Sequence, residues 1–302
     1  MNKKKYVNRN YLTTTRIIAL GFLITVIVGT ILLSLPIASA NGTWTDLLTA
    51  AFTSTTSVCV TGLVVVDTFS YWSLFGKGVI LILIQIGGLG IVSIITLFML
   101  LLRMKITLKS TMLLQDAFNL NSKQGLLKFT IKVIKGTFLI EGIGALIYSF
   151  YYCRGYGFLK GIWFSVFHAV SAFCNAGIDI MGADSLISYH SNLLMMLNTS
   201  FLIIMGGIGF IVWWDTVEAF RRIRTKRCSI RSAWNGVHLQ TKIAIFMTLL
   251  LLIGGTIVIY FLERSNPDTL GNLSEKDRIL NAFFQSVTFR TAGFAAVSQV
   301  AL

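Results

Sequence analysis

Acidic residues are scarce in this chain. Its 302 residues include only 12 Asp and Glu, and charged residues of both signs make up 13% against 55% hydrophobic ones. A mean hydropathy of +0.75 lies well outside the range of a soluble domain and marks an integral membrane protein. Two prolines in so long a chain suit helices better than a β-sandwich. The four cysteines, Cys59, Cys153, Cys174 and Cys228, form no CxxC, so neither a disulfide framework nor a zinc site organises the chain. Three histidines, His168, His190 and His238, are too few for a His-rich metal centre. A membrane-embedded enzyme would gather His or acids into a compact interfacial cluster, and the sequence has none, so no enzyme is expected. The net charge of +14 does not imply nucleic acid either, because the cations fall in blocks between apolar runs rather than along one wettable face.

What the chain has instead is apolar runs. Ile17–Leu35, Leu74–Leu102, Phe129–Tyr152, Leu193–Phe220 and Ile243–Leu262 are each long enough to cross the bilayer as a helix. The first follows Lys3, Lys4, Lys5, Arg9 and Arg16 and precedes Ala38-Ser39-Ala40, features shared with a cleavable signal peptide. At 19 residues it exceeds a typical signal core and can span about 30 Å of hydrocarbon. We expect a retained first transmembrane helix.

Between these runs one short stretch occurs three times: Phe52–Leu63 (FTSTTSVCVTGL), Phe167–Ile178 (FHAVSAFCNAGI) and Phe283–Phe294 (FFQSVTFRTAGF). Gly62, Gly177 and Gly293 align, 115 and 116 residues apart, which indicates three copies of one unit. The segments ahead of the glycines, 45–56, 161–171 and 276–288, are too short to span and too apolar for exposed loops, and are expected to be re-entrant half-helices. The fold class is therefore all-α integral membrane, with tandem repeats of helix, half-helix, glycine segment and helix. Boundaries follow: 1–16 N-terminus, 17–102 first repeat, 103–126 linker, 127–220 second repeat, 221–240 linker, 241–302 an incomplete third repeat. Ile86-Gly87-Gly88-Leu89-Gly90-Ile91 recurs as Met205-Gly206-Gly207-Ile208-Gly209-Phe210. Neither is a dinucleotide fingerprint, and small residues for close helix approach are the expected role.

Lys and Arg number five at the N-terminus, seven in 103–135 and seven in 221–242, with seven elsewhere. The positive-inside rule then makes the basic segments cytoplasmic and opens the glycine segments outward. Asp46, Asp67, Asp179, Asp184, Glu263, Asp268, Glu275 and Asp277 fall on the outer side, where they favour cation entry or serve as ordinary solvated loop residues. The polar interval 109–125 is an interfacial helix or a docking surface on the inner side.

Non-helical backbone at membrane depth must be buried in protein or line a water-filled path. Three such segments would turn carbonyls toward a common axis and replace the hydration shell of a cation, as in K⁺ filters. Glycine supplies φ > 0 and leaves the axis clear of side chains. No acid occupies these stretches, so the ion site rests on backbone carbonyls of Cys59, Val60, Thr61 and Gly62; Cys174, Asn175, Ala176 and Gly177; and Arg290, Thr291, Ala292 and Gly293. Cys59 and Cys174 are expected as small wall-packing residues. Arg290 is expected behind the filter, bonded to backbone carbonyls; facing the axis it would repel cations. Asn175 either lines the outer mouth or braces the loop. Glu141, ionisable within an apolar helix, is either functional or paired with Lys135. His168 is expected as a satisfied polar residue.

These motifs resemble the Trk/Ktr/HKT superfamily of K⁺ transporters, above all the KtrB-like membrane subunit of bacterial Ktr systems. The likeness rests on Thr56–Leu63, Phe173–Ile178, Arg290–Phe294 and the two GGxG helices, and covers essentially the whole chain. It implies four repeats around one pore and a multi-pass protein of the bacterial cell membrane with a cytoplasmic N-terminus. It further implies a homodimer on a cytoplasmic KtrA-like RCK nucleotide-binding ring, K⁺ as the transported ion, possible Na⁺ dependence, and nucleotide only on the partner subunit. Glycine at all three positions resembles the K⁺-selective type rather than plant relatives with serine in the first repeat. A secondary transporter for another monovalent cation is the alternative; parallel rather than inverted repeats argue against it. The sequence stops nine residues after Gly293, so a fourth repeat, with its glycine near position 409, and the family's gate are expected beyond Leu302.

Overall fold

In lipid every backbone N–H and C=O must be satisfied within its own segment, so long apolar runs become helices. The computed structural model describes residues 14–90, 93–94, 126–182, 185–226, 229–299 and 301. Among these residues the fold is all helical, with one isolated bridge, Ser39 to Trp72. The N-terminal residues 1–13, most of the linker 103–126, Asp184 and Cys228 lie outside the described residues.

The first unit comprises α1 (Thr14–Ser34), α2 (Leu47–Cys59), a single turn α3 (Thr68–Tyr71) and α4 (Leu74–Leu89). The second comprises α5 (Leu126–Tyr156), α6 (Phe158–Phe173), α7 (Leu193–Gly207) and α8 (Phe210–Lys226). After the short α9 (Ile230–Asn235) come α10 (Leu239–Glu263) and α11 (Glu275–Thr288). Among the described residues three single helices are long and apolar enough to span a membrane, within α1, α5 and α10, and each opens a unit. At 13 to 16 residues, α2, α6 and α11 reach only about 20–24 Å and cannot cross.

Each half-helix is held against the long helix before it. The Ser54 hydroxyl of α2 donates to the Val26 carbonyl of α1 at 2.8 Å, and Ser286 of α11 donates to Leu252 of α10 at 3.0 Å. Gly29 and Gly255 face these same hydroxyls with no room for a Cβ. In the second unit Gly161 of α6 lies against the Cys153 backbone of α5, where a Cβ would fall 2.5 Å from the Cys153 nitrogen. Ala38 and Ser39, of the Ala38-Ser39-Ala40 stretch that follows the first apolar run, are buried beside α1 and α4, and the Ser73 amide bonds to the Ala38 carbonyl at 2.9 Å.

The run Leu193–Phe220 is not one spanning helix. It breaks between Gly207 and Phe210, and α7 and α8 meet at 99°. Gly209 sits there at φ +95°, a conformation that ends the helical ladder and that a side chain disfavours. The matching Gly90 closes α4 at φ +78°. The third glycine of each GGxG is thus a helix stop as well as a small residue.

Candidate functional site

Of the three half-helices, α2 and α11 are capped at their N-termini by side chains. The Asp46 carboxylate caps α2 by accepting from the amides of Leu48 (3.1 Å) and Thr49 (3.4 Å), and Ser274 caps α11 through Asp277 N–H at 3.3 Å. Their C-termini, the partially negative ends, lead into the three glycine segments. Second helices back these ends closely: a Cβ at Gly87 of α4 would strike the Val58 carbonyl, and one at Gly206 of α7 the Phe173 carbonyl, each four residues before its glycine.

All three segments share one backbone pattern. Val60, Asn175 and Thr291 have φ of 56°, 59° and 74°, and two residues on Gly62, Gly177 and Gly293 have 78°, 62° and 78°. Thr61, Ala176 and Ala292 between them keep negative φ. Alternating the sign of φ turns successive peptide groups toward the same side instead of coiling them as a helix does. The glycines meet at the centre: a Cβ on Gly62 would fall 2.8 Å from the Ala176 oxygen, one on Gly177 2.5 Å from the Ala292 oxygen, and one on Gly293 3.1 Å from the Gly177 Cα.

Sequence reasoning missed the residues that hold this shape. Thr56 shares a 2.6 Å hydrogen bond with Thr61 and accepts from the Leu63 amide at 3.0 Å. Ser171 donates to the Ile178 carbonyl at 2.5 Å, and Thr288 to the Phe294 carbonyl at 2.8 Å. Each buried hydroxyl ties the last turn of a half-helix to the residue after its glycine. The signal was present: a Ser or Thr stands five or six residues before every one of the three glycines.

Other expected residues find their surroundings. Cys174 is buried against Gly88 of α4, whereas Cys59 at the same repeat position is exposed. Arg290 turns to α10, but its guanidinium donates to the Thr248 hydroxyl at 3.3 Å rather than to backbone carbonyls. A hydroxyl is simply the acceptor that α10 presents there. Asn175, with its amide nitrogen turned to the Ala172 and Ile203 carbonyls at 3.2 Å each, braces the loop against α7. Glu141 pairs with Gln85 of α4 at 3.1 Å, not with Lys135, because α4 packs where the carboxylate emerges. His168 makes no protein hydrogen bond; it is packed as a flat ring, 4.8 Å from Tyr148 and 4.9 Å from Phe294 between centroids.

Over the glycines opens a cavity of about 340 Å³ whose lining includes Gly62, Gly177, Gly293, Val66, Asp67 and Asp179. Burial pushes the Asp179 carboxyl above the usual range, opposed by the Ser185 hydroxyl and the Met181 amide and reinforced by Asp67. Burial alone would also raise Asp67, but the Ser70 hydroxyl and the amides of Ser70 and Phe69 hold it below that range. The cavity therefore has all three glycines and two carboxyls, Asp67 and Asp179, in its lining. Among the described residues no group of three or more His, Cys, Asp or Glu is placed to hold a metal ion.

Residues 3–302 match the sequence family TrkH, described as a cation transport protein. The chain belongs to the TrkH family. It is 40% identical over 96% of its length to the potassium/sodium uptake protein NtpJ of Enterococcus hirae, covering 61% of that protein. It is 39% identical over 97% of its length to the Ktr system potassium uptake protein B of Bacillus subtilis (63% covered), and 34% over 93% to its namesake from Vibrio alginolyticus (59% covered). The chain thus spans about three-fifths of the length of these relatives. The TrkH chain is accordingly a KtrB-like, multi-pass, all-helical membrane protein.

Proposed function

We propose that this TrkH-family protein is the membrane subunit of a potassium uptake system, and that K⁺ passes over the carbonyls of residues 59–62, 174–177 and 290–293. The observation that carries the reading is the convergence of three glycines, each following a half-helix C-terminus and each in a segment of alternating φ. Such a site needs no covalent chemistry. A K⁺ ion exchanges water for carbonyls, and neighbouring sites let it leave. In this reading repeats 17–102, 127–220 and 241–302 are parallel, the basic linkers and the N-terminus are cytoplasmic, and the protein works as a homodimer on an RCK-type nucleotide-binding ring. The names of the B. subtilis and V. alginolyticus relatives, Ktr system proteins, support such a partner. Sedimentation of the purified membrane subunit with such a ring would show co-migration, and separate boundaries would refute that part. The name of the E. hirae relative favours a role for Na⁺ as a second ion.

The test is growth rescue of a K⁺-uptake-deficient bacterium at low external K⁺, comparing the gene with its Gly62→Ser variant. Serine at φ +78° is strained, and its Cβ meets the Ala176 oxygen. Rescue by the gene, with more K⁺ required by the variant, is the expected result. Failure of the membrane-inserted protein with its partner present would overturn the K⁺ assignment.

A further inference from the structure

The elbow between α7 and α8 encloses an apolar crevice of about 390 Å³. Its walls include Leu139 and Ile140 of α5, Met205 of α7, Ile208 in the break, Trp214 of α8 and Ile245 of α10. Its two tryptophans differ. The Trp213 indole donates to the Met205 carbonyl at 2.9 Å and so braces the elbow. The Trp214 indole N–H is buried and makes no protein hydrogen bond.

Cations lead to this crevice along α5. Lys128, Lys132 and Lys135 are all exposed. At about 100° per residue they fall on the same helix face as Leu139. The Lys132 ammonium stands 5.4 Å from the centroid of the Trp214 ring, so this basic ladder reaches the crevice wall. The acids of α8 are engaged elsewhere: Asp215 with His238 at 2.9 Å and Thr241 at 2.6 Å, and Glu218 with Arg222 at 3.5 Å.

An apolar slot, a row of ammonium groups beside it and a buried unpaired donor in its wall match a molecule that is part acyl chain and part phosphate. We propose that this elbow binds an anionic phospholipid, with one acyl chain in the crevice and the headgroup phosphate against Lys132, flanked by Lys128 and Lys135. A soluble polyanion would leave the apolar walls uncovered, and a zwitterionic lipid would leave the lysine row uncompensated. Occupancy would brace α8 against α5 and α10, the helices that share the slot. None of this depends on which ion the protein carries.

The test is tryptophan quenching of the protein in phosphatidylcholine nanodiscs doped with either dibrominated phosphatidylglycerol or dibrominated phosphatidylcholine. Trp214→Phe supplies the difference signal that belongs to Trp214. Brominated phosphatidylglycerol is expected to quench that signal at a several-fold lower mole fraction. Lys132→Gln should cost about fivefold of the preference, and the triple variant K128Q/K132Q/K135Q should erase it. Equal potency of the two lipids, or a preference that survives the triple variant, would overturn the proposal. So would a Trp214 signal that neither lipid quenches, the result if a protein segment fills the crevice. Lys132 is exposed, so its single variant is expected to keep the fold and the test does not hinge on the triple variant folding.

Discussion

At the scale of single residues, the glycine segments are shaped as much by hydroxyls as by glycines. Ser171 is fully buried, and its bond to the Ile178 carbonyl fixes where the second segment leaves the axis. Ser171→Ala leaves that carbonyl unpaired at a cost of about 1–3 kcal/mol. Selectivity for K⁺ over Na⁺ in flux assays is expected to fall. Ser165→Ala, which removes only a hydroxyl bonded to Gly161 one turn back in α6, should leave selectivity intact. Equal ratios in the two variants would separate the brace from selectivity. The glycines were legible in the sequence because only glycine serves at positive φ without penalty. Val60, Asn175 and Thr291 were not, since their positive φ is imposed by the bonds around them rather than by their own preference; asparagine alone gives a weak hint.

At the scale of elements, the second helix of the second unit stops at Gly209. Hydropathy could not reveal this, because residues on both sides of the break are apolar and a window average passes over a single positive φ. Gly209→Ala forces an L-residue into φ +95° and is expected to destabilise the elbow by about 1–2 kcal/mol. The thermal midpoint in nanodiscs should fall. Gly78→Ala in the interior of α4, where a Cβ would meet nothing within 4 Å, should hold or raise that midpoint by its better helix propensity. Unchanged midpoints in both variants would show that the elbow tolerates an L-residue. The half-helices were more legible: their apolar stretches were too short to span, though α2 and α6 run on through Cys59 and Phe173 and α6 begins at Phe158, three residues before the expected start.

At the scale of the whole molecule, the cavity over the glycines joins carboxyls from different units, Asp67 ahead of α4 and Asp179 after α6. Their shifts are opposite in sign, so they titrate apart. As pH falls on the side to which the cavity opens, Asp179, raised by burial, takes up its proton first, above the ordinary carboxylate value of about 3.9. Asp67, held low and facing Lys77, keeps its charge further into acid. Apparent affinity for K⁺ should therefore weaken on mild acidification. Asp179→Asn should show the weakened value at neutral pH with a flatter profile, and an unaltered profile in that variant would remove Asp179 from the cavity's electrostatics. By itself the sequence determined that the chain lies in a membrane, that it repeats a helix, half-helix and helix, and that glycine marks each repeat's special point. Periodicity, hydropathy and the steric freedom of glycine are local properties, readable one segment at a time. Only the tertiary structure decided that Glu141 meets Gln85, that Arg290 turns to Thr248, that Cys174 is covered while Cys59 is not, and that a crevice opens inside the elbow. Those pairings depend on how separate helices approach one another in space, and residues 56 or 42 positions apart in the chain carry no mark of their contact.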